Sequence, residues 1–484
     1  MTEQVYGKPY KRKRKKAEIK LYKVRNYQAG MQNRLTNDWL TTGQSADELL
    51  RWQLNTLRAR SRDLFRNNDY AKSFGRKLKI NVIGAGGIQL QSKVKRPDGL
   101  KLDKSANAMI EAAFLKYSKP QDFTTAGDMS RRDFDANLIE SLARDGEVLI
   151  RKVRGYDNQF GFALQMLEPD LIDIEHHEDM IGKNRVSCGV EFNGWGKPVA
   201  YYLKTDQGNR KVNAADYIHC YLKERPGQSR GVPWMHTAIL RLRSLGAYEE
   251  AAVIAARVGA SGMGIVLKPN TEDQKYTGET EGGDPDSGSY MDNVEPGAMW
   301  EAPPGADFKT YDPAYPAANH AEFMKAVLRG AASGMGISYN SLSSDLEGVN
   351  FSSIRQGVME DRDWYKYLTG FITDHVHNNY YKDWLKMAIT TRQVNLPIND
   401  IDRFSEPKWQ GRGFEWIDPL KDTKSNIEQL DNYLTSPQRV LSDRGLDADD
   451  VLDEIQTFNE MLAARKLPPR GGINEKTIIQ EDDK

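Results

Sequence analysis

The segment GMGISYNSLSSDLEGVNFSS, residues 334–353, carries neither a helical nor a strand period, yet amphipathic stretches stand on both sides of it. Unstructured segments longer than about 12–15 residues are uncommon inside compact domains and serve as lids, binding loops or disordered linkers. Ile337, Tyr339, Leu342 and Phe351 give this one more apolar content than a solvated linker holds, and Asp345 and Glu347 are its only charges. The segment is therefore expected to be placed, as a loop on a scaffold that brackets it with two helices.

The chain is large enough for such a scaffold. Its 484 residues exceed one ordinary core and, at about 150 residues per domain, suggest about three lobes. A helical period runs from Ala46 to Leu78 and stops at the glycine group NVIGAGGIQL, 81–90, where a strand takes over. These glycines do not form a dinucleotide fingerprint, because Ile88, Gln89 and Leu90 continue as a strand instead of opening a helix. A second helix is expected after Ser130 as N-cap, with Phe134, Leu138 and Leu142 on one face and Gly146 as its stop. From there to Leu222, short alternating runs such as GVEFNGWGKPVAYYLK read as antiparallel hairpins.

A long helix is expected to start near Pro233 and to turn small in its later half, with Ala251, Ala252, Ala255, Ala256, Gly259 and Ala260. Such a face suits either a core helix or a helix packed beside copies of itself, and the residues leave both open. Another helix resumes near Ala321 with Phe323, Val327 and Ala331 on one face. Beyond the loop, Asn350 or Ser352 caps a long helix carrying Ile354, Val358, Tyr367 and Phe371, with Trp384 and Ile389 after a break. The last clear helix, 447–466, has Val451, Ile455, Phe458 and Leu462 as an apolar stripe and acids in its first turn.

Charge is balanced overall but not along the chain. In residues 1–34, eleven Lys and Arg against Glu3 and Glu18 give +9, whereas in 271–315 eleven acids against Lys275 and Lys309 give −9. A basic block of this kind reads as a solvated tail that can touch nucleic acid or an acidic partner. No stretch approaches the roughly 18 apolar residues of a membrane span, and no secretory leader is expected, so assembly is expected in the cytoplasm. Cys188 and Cys220 match no metal-ligand spacing and read as reduced and structural.

Catalytic constellations are weak. His176 and His177 lie beside Glu175, Glu178 and Asp179, but adjacent residues on a strand point to opposite faces. His375 and His377 are two apart on a helix, do not share a face, and read as surface or interface residues. The acids of EPDLIDIEHHED, 168–179, leave a metal-dependent nuclease as an alternative, and the basic tail leaves a static DNA-binding protein as another.

Three blocks, LRARSRDLFRNN at 57–68, RPGQSRGVPW at 225–234 and GMGISYNSLSSDLEGVNFSSIRQG at 334–357, resemble the lambda-type family of phage portal proteins, over roughly residues 45–400. The resemblance implies an α+β portal fold: a basic extension at 1–45, a wing at 46–225, a stem helix at 226–262, a clip at 263–318 and a second stem helix at 319–334. A tunnel loop at 335–353, a tunnel helix with wing return at 354–425 and a helical crown with a tail at 426–484 would follow. It further implies a non-enzymatic homo-oligomeric ring of about twelve copies at one capsid vertex, without cofactor or metal. Double-stranded DNA would pass through it, and large terminase, a head–tail adaptor, and capsid and scaffold proteins would be its partners.

The implied DNA-facing residues are Tyr339, Asn340, Ser343, Ser344, Asp345, Glu347, Asn350 and Phe351. Asp284, Asp286, Asp292 and Glu295 would form the clip's docking surface. Arg58, Arg62, Arg66, Arg225, Arg230, Ala252, Ala256 and Arg355 are expected at subunit interfaces, the arginines because a planar guanidinium suits ion pairs between protomers. The loop has no Lys or Arg between Gly334 and Ser353, which suits a conduit that touches DNA without gripping it.

Overall fold

In a computed structural model of the chain, the described residues are 43–99, 101–260, 264–267, 307–310, 320–348, 350–414 and 419–467. The helical period from Ala46 to Leu78 folds as two helices, α1 (Ala46–Asn67) and α2 (Asp69–Leu78). The break is Asn68, whose extended backbone ends one helix and whose side chain accepts from Ala71 N at 3.0 Å to cap the next. A π-helical turn, Lys79–Ile83, leads into the glycine group, and β1 (Gln89–Ser92) follows as expected. After α3 (Lys104–Tyr117) and the short α4 (Pro120–Phe123) comes α5 (Arg131–Asp145), capped by Ser130 and stopped by Gly146. Gly146 has φ +87°, and a Cβ there would collide with the Val232 backbone, so both its turn and the close approach of the segment around Val232 require glycine.

The hairpin region forms two antiparallel sheets. β2 (Glu147–Arg154) is flanked by β3 (Phe162–Leu167) and β9 (Tyr217–Tyr221). Between them in sequence, β4 (Glu178–Ile181), β5 (Asn184–Ser187), β6 (Val190–Phe192), β7 (Pro198–Thr205) and β8 (Gly208–Asn213) run as a five-stranded meander.

The next helix, α6 (Ile239–Ala260), begins later than Pro233. Trp234 N donates to Ala143 O at the end of α5, so the residues after Pro233 are held in turns by α5 before a helix can propagate. The strands β10 (Gly264–Leu267) and β11 (Asp307–Thr310) pair antiparallel, and α7 (His320–Met335) leads to the loop. Part of that loop is helical after all: α8 (Tyr339–Ser343) is a single turn capped by Ser338. The long helix α9 (Phe351–Ile372) passes through a π-helical break, Thr373–His377, into α10 (Asn378–Thr390), where the sequence anticipates an interruption. Its buried face is Tyr365, Leu368 and Ile372; Tyr367 is exposed and stacks on Trp364, so the expected stripe is rotated.

After α11 (Ile401–Phe404), β12 (Pro407–Gln410) pairs with β1, and α12 (Pro419–Asp431), α13 (Pro437–Asp443) and α14 (Ala448–Ala464) complete the described chain. Along α14, Ile455 and Phe458 of the apolar stripe are about half exposed.

From Ala46 onward the described residues belong to one compact unit. A continuous core joins α2, α3, α5, α9 and α10 to the three-stranded sheet, with Trp384 packed against Phe114 and Tyr117 at its centre. The ends of α6 and α7 nearest the loop are anchored in the same core by Leu242, Leu245, Leu328 and Met335. The junction that carries the loop is therefore rigidly held.

Candidate functional site

Two of the three sequence blocks meet in one buried ion cluster. Glu147, the first residue of β2, has no exposed surface, and its two oxygens are fully engaged. Oε1 accepts from Arg58 Nη2 at 2.7 Å and from Arg230 Nη2 at 2.6 Å. Oε2 accepts from Gly231 N at 2.8 Å and faces His219 Nε2 at 2.9 Å. Burial opposes the carboxylate charge, but Arg230, the His219 hydrogen bond and Arg58 hold Glu147 well below the usual carboxylate range. For His219, burial and the neighbouring arginines outweigh Glu147 and lower its pKa, so the neutral ring donates its Nε2 proton.

The rest of the cluster ties separate elements together. Arg58 Nη1 pairs with Asp170 at 2.7 Å, and Arg62 bridges Asp145 and Asp170, each at 2.6 Å. Arg230 also donates to Pro169 O at 2.9 Å and Cys188 O at 3.0 Å. Arg58 and Arg230 are 1% and 0% exposed. Their carboxylate partners lie 83 to 112 residues away in the same chain, which corrects the expectation that these two buried arginines face a neighbouring protomer. Arg62 is also paired within the chain, as is Arg355, at 3.4 Å from Asp422 of α12. Arg66 is exposed, with Asp63 at 4.0 Å. Arg225 lies exposed on the turn that Gln228 closes. On α6, Ala252 is half-buried and Ala256 exposed.

The third block folds onto a clamp. Asp361, on α9, accepts from Ser338 N at 2.8 Å, Ser338 Oγ at 2.7 Å and Ser341 Oγ at 2.5 Å. Ile337 and Leu342 are buried beside it, and Ser73 Oγ donates to Leu342 O at 3.2 Å. Ser344 then takes a left-handed conformation, φ +57°, that ends α8 and turns the chain outward. Asn340 and Ser343 are half-buried on α8, whereas Ser344, Leu346, Glu347, Gly348 and Asn350 are exposed. Phe351 opens α9; its side chain, like the clip residues Asp284, Asp286, Asp292 and Glu295 and the basic segment 1–34, lies outside the described residues.

The exposed tip is braced from α7. Tyr339 OH donates to Asp345 Oδ2 at 2.7 Å, and Lys325 Nζ lies 3.4 Å from both Asp345 and Glu347. Arg329, one turn along α7, lies over the Tyr339 ring at 5.5 Å. Hydrogen bonds from Glu347 N and Tyr339, together with Lys325, lower the Asp345 pKa despite some desolvation. The stretch from Gly334 to Ser353 is itself free of Lys and Arg, but the fold brings two basic side chains to it.

Sequence reading misses Glu147, Asp361, Lys325 and Arg329, each of which lies outside the three blocks or acts on a residue far along the chain. It also misplaces His377, which is completely buried and hydrogen-bonded to Asp135 Oδ1 at 2.9 Å; His375 is exposed against Phe371. His176 and His177 each lie within 3.4 Å of one carboxylate, Glu178 and Asp179 respectively. Among the described residues no group of three potential ligands comes together.

Comparison with known proteins accords with this arrangement of blocks. The model of the family described as phage portal protein, lambda family, matches residues 32–368. A probable portal protein of Halomonas phage phiHAP-1 is 35% identical, covering 95% of this chain and 92% of that protein. Portal protein B of Escherichia phage lambda is 22% identical, covering 92% of each. Among solved structures, a chain from the virion of a native gene transfer agent particle aligns with a TM-score of 0.48 at 12% identity, covering 82% of this chain and 94% of that one. With two of its blocks fused in one ion cluster, its third clamped between long helices, and a family match that spans all three, the chain belongs to the lambda family of phage portal proteins.

Proposed function

We propose that this portal protein assembles as a closed ring of about a dozen copies at one capsid vertex, with double-stranded DNA passing along the axis during packaging and ejection. The observation that carries this reading is the loop tip with exposed Ser344, Leu346, Glu347 and Gly348, its base held by Asp361 of α9. A loop clamped in this way can be presented repeatedly around a ring without each copy being free to collapse. Its DNA-facing residues are Tyr339, Asn340, Ser343, Ser344, Asp345, Glu347, Asn350 and Phe351.

In this reading residues 46–225 and part of 354–425 form the wing, α6 and α7 the stem, and 426–484 the crown. The acidic segment 263–318 is the clip, where large terminase and then a head–tail adaptor dock through Asp284, Asp286, Asp292 and Glu295. Arg62, Arg66, Arg225, Ala252, Ala256 and Arg355 are the remaining subunit-interface candidates, and capsid and scaffold proteins meet the outer wing. The chain contributes no chemical step; ATP-driven motion belongs to a separate motor, and the assembled ring remains in the virion.

Native mass spectrometry of the purified chain with negative-stain imaging tests the reading. A closed ring with an axial hole is the expected result. A chain that stays monomeric at assembly concentration, with or without scaffold protein, overturns it.

A further inference from the structure

The loop's acids are not spread at random over its exposed tip. Lys325 and Arg329 are four residues apart on α7, a spacing at which like charges repel across one helical turn. The loop answers both. Asp345 and Glu347 reach Lys325, and Tyr339, which donates to Asp345, lies beneath Arg329. Two cations and two carboxylates thus share one patch and cancel. The patch is open to solvent, since the Glu347 side chain is 85% and the Lys325 side chain 32% exposed.

We infer that Asp345 and Glu347 act as built-in substitutes for phosphate, occupying Lys325 so that the patch exchanges one anion for another as DNA slides past. This rests on the portal reading, in which the tip faces the duplex. An exposed carboxylate–lysine pair contributes little stability, so a passing phosphate can replace the carboxylate at nearly constant free energy. The lysine guides the backbone without holding it. Without the carboxylates the same patch would carry two unbalanced cations per copy, and DNA carries a phosphate charge every 1.7 Å or so of its axis. Repeated around a ring, the added grip would turn a conduit into a brake.

The test is the salt dependence of binding of purified rings to a short duplex, read by fluorescence anisotropy between about 50 and 200 mM salt. Wild type is compared with Glu347→Gln, Asp345→Asn/Glu347→Gln, and the latter pair combined with Lys325→Gln. Any contribution of the basic N-terminal residues is common to all four. The double variant should bind at least about tenfold more tightly at low salt, with the slope of log K against log salt steepened by about 0.9 for each phosphate newly engaged.

Glu347→Gln alone, at a side chain that braces no buried group, should shift in the same direction by less, and adding Lys325→Gln should return both values towards wild type. Rings of all four proteins with one common slope and affinity overturn the inference while leaving the portal reading intact. A wild-type chain that closes no ring overturns the portal reading and this inference with it.

Discussion

Glu147 and Glu347 are the same residue in opposite circumstances. Glu147 is sealed between Arg58, Arg230 and His219, with every oxygen engaged, whereas Glu347 sits at the tip of a loop with Lys325 as its ion-pair partner. Coulomb attraction in water at such distances is about 1 kcal/mol, and several-fold greater once water is removed. The difference teaches what each site is built for. The buried cluster commits α1, α5, β2, β9 and the RGVPW turn to one arrangement, while the exposed patch can exchange partners at small cost.

The contrast is broken most severely at Glu147. Glu147→Gln leaves Arg230, whose other acceptors are backbone carbonyls, as a buried charge without a counterion. Removing one member of such a pair costs about 3–5 kcal/mol. The variant should lose that much stability in chemical unfolding; a loss below about 1 kcal/mol would show that water or backbone carbonyls already satisfy Arg230.

Asp361 occupies an intermediate position, since it is buried but binds only neutral donors. Asp361→Ala leaves Ser338 N and two hydroxyls without their acceptor, at an expected cost of about 1–3 kcal/mol. The loss should be local. Hydrogen exchange at the amides of 338–343 should accelerate far more than exchange in α5, and uniform acceleration would mean that the clamp supports the whole core and not the loop.

His219 sharpens the buried side of the comparison through pH. Its folded pKa is lowered, so between that value and the unfolded value of about 6.5 the unfolded chain binds more protons. Stability is then complete above about pH 6.5 and falls as pH drops below it. Glu147, with its depressed pKa, adds a further loss only in stronger acid, below the unfolded value of about 4.3. Unfolding midpoints measured from pH 7.5 to 5 should therefore decline in wild type and decline less in His219→Gln.

These clusters also mark where the sequence can be read and where it cannot. Ser130 and Gly146 announce both ends of α5 because a cap depends on residues three or four positions away. Arg58, Arg62 and Arg66 read as a basic stripe because their spacing is local information, whereas the acids that bury Arg58 lie 89 and 112 residues off. His377 is hidden in the same way, its partner Asp135 being 242 residues distant. In the loop, α8 goes unread because one turn has no period to show, and the Asp361 that fixes its cap Ser338 lies 23 residues further along, in the following helix. The three family blocks are legible as a set; that two of them converge on Glu147, which belongs to none, is a property of the fold.

The smallest expected effect is at the exposed end of the comparison, and it is the most discriminating. Lys325→Gln and Glu347→Gln each break an ion pair whose members remain hydrated, so neither should move the thermal midpoint measurably. Glu147→Gln removes the same charge by the same chemical change and should lower the midpoint by several degrees. If Glu347→Gln destabilises the chain comparably, the tip is a structural lock and the loop cannot exchange carboxylate for phosphate. If stability is untouched while DNA affinity changes, the two glutamates divide the work: burial makes one an anchor between α1, β2 and β9, and exposure leaves the other available to the duplex.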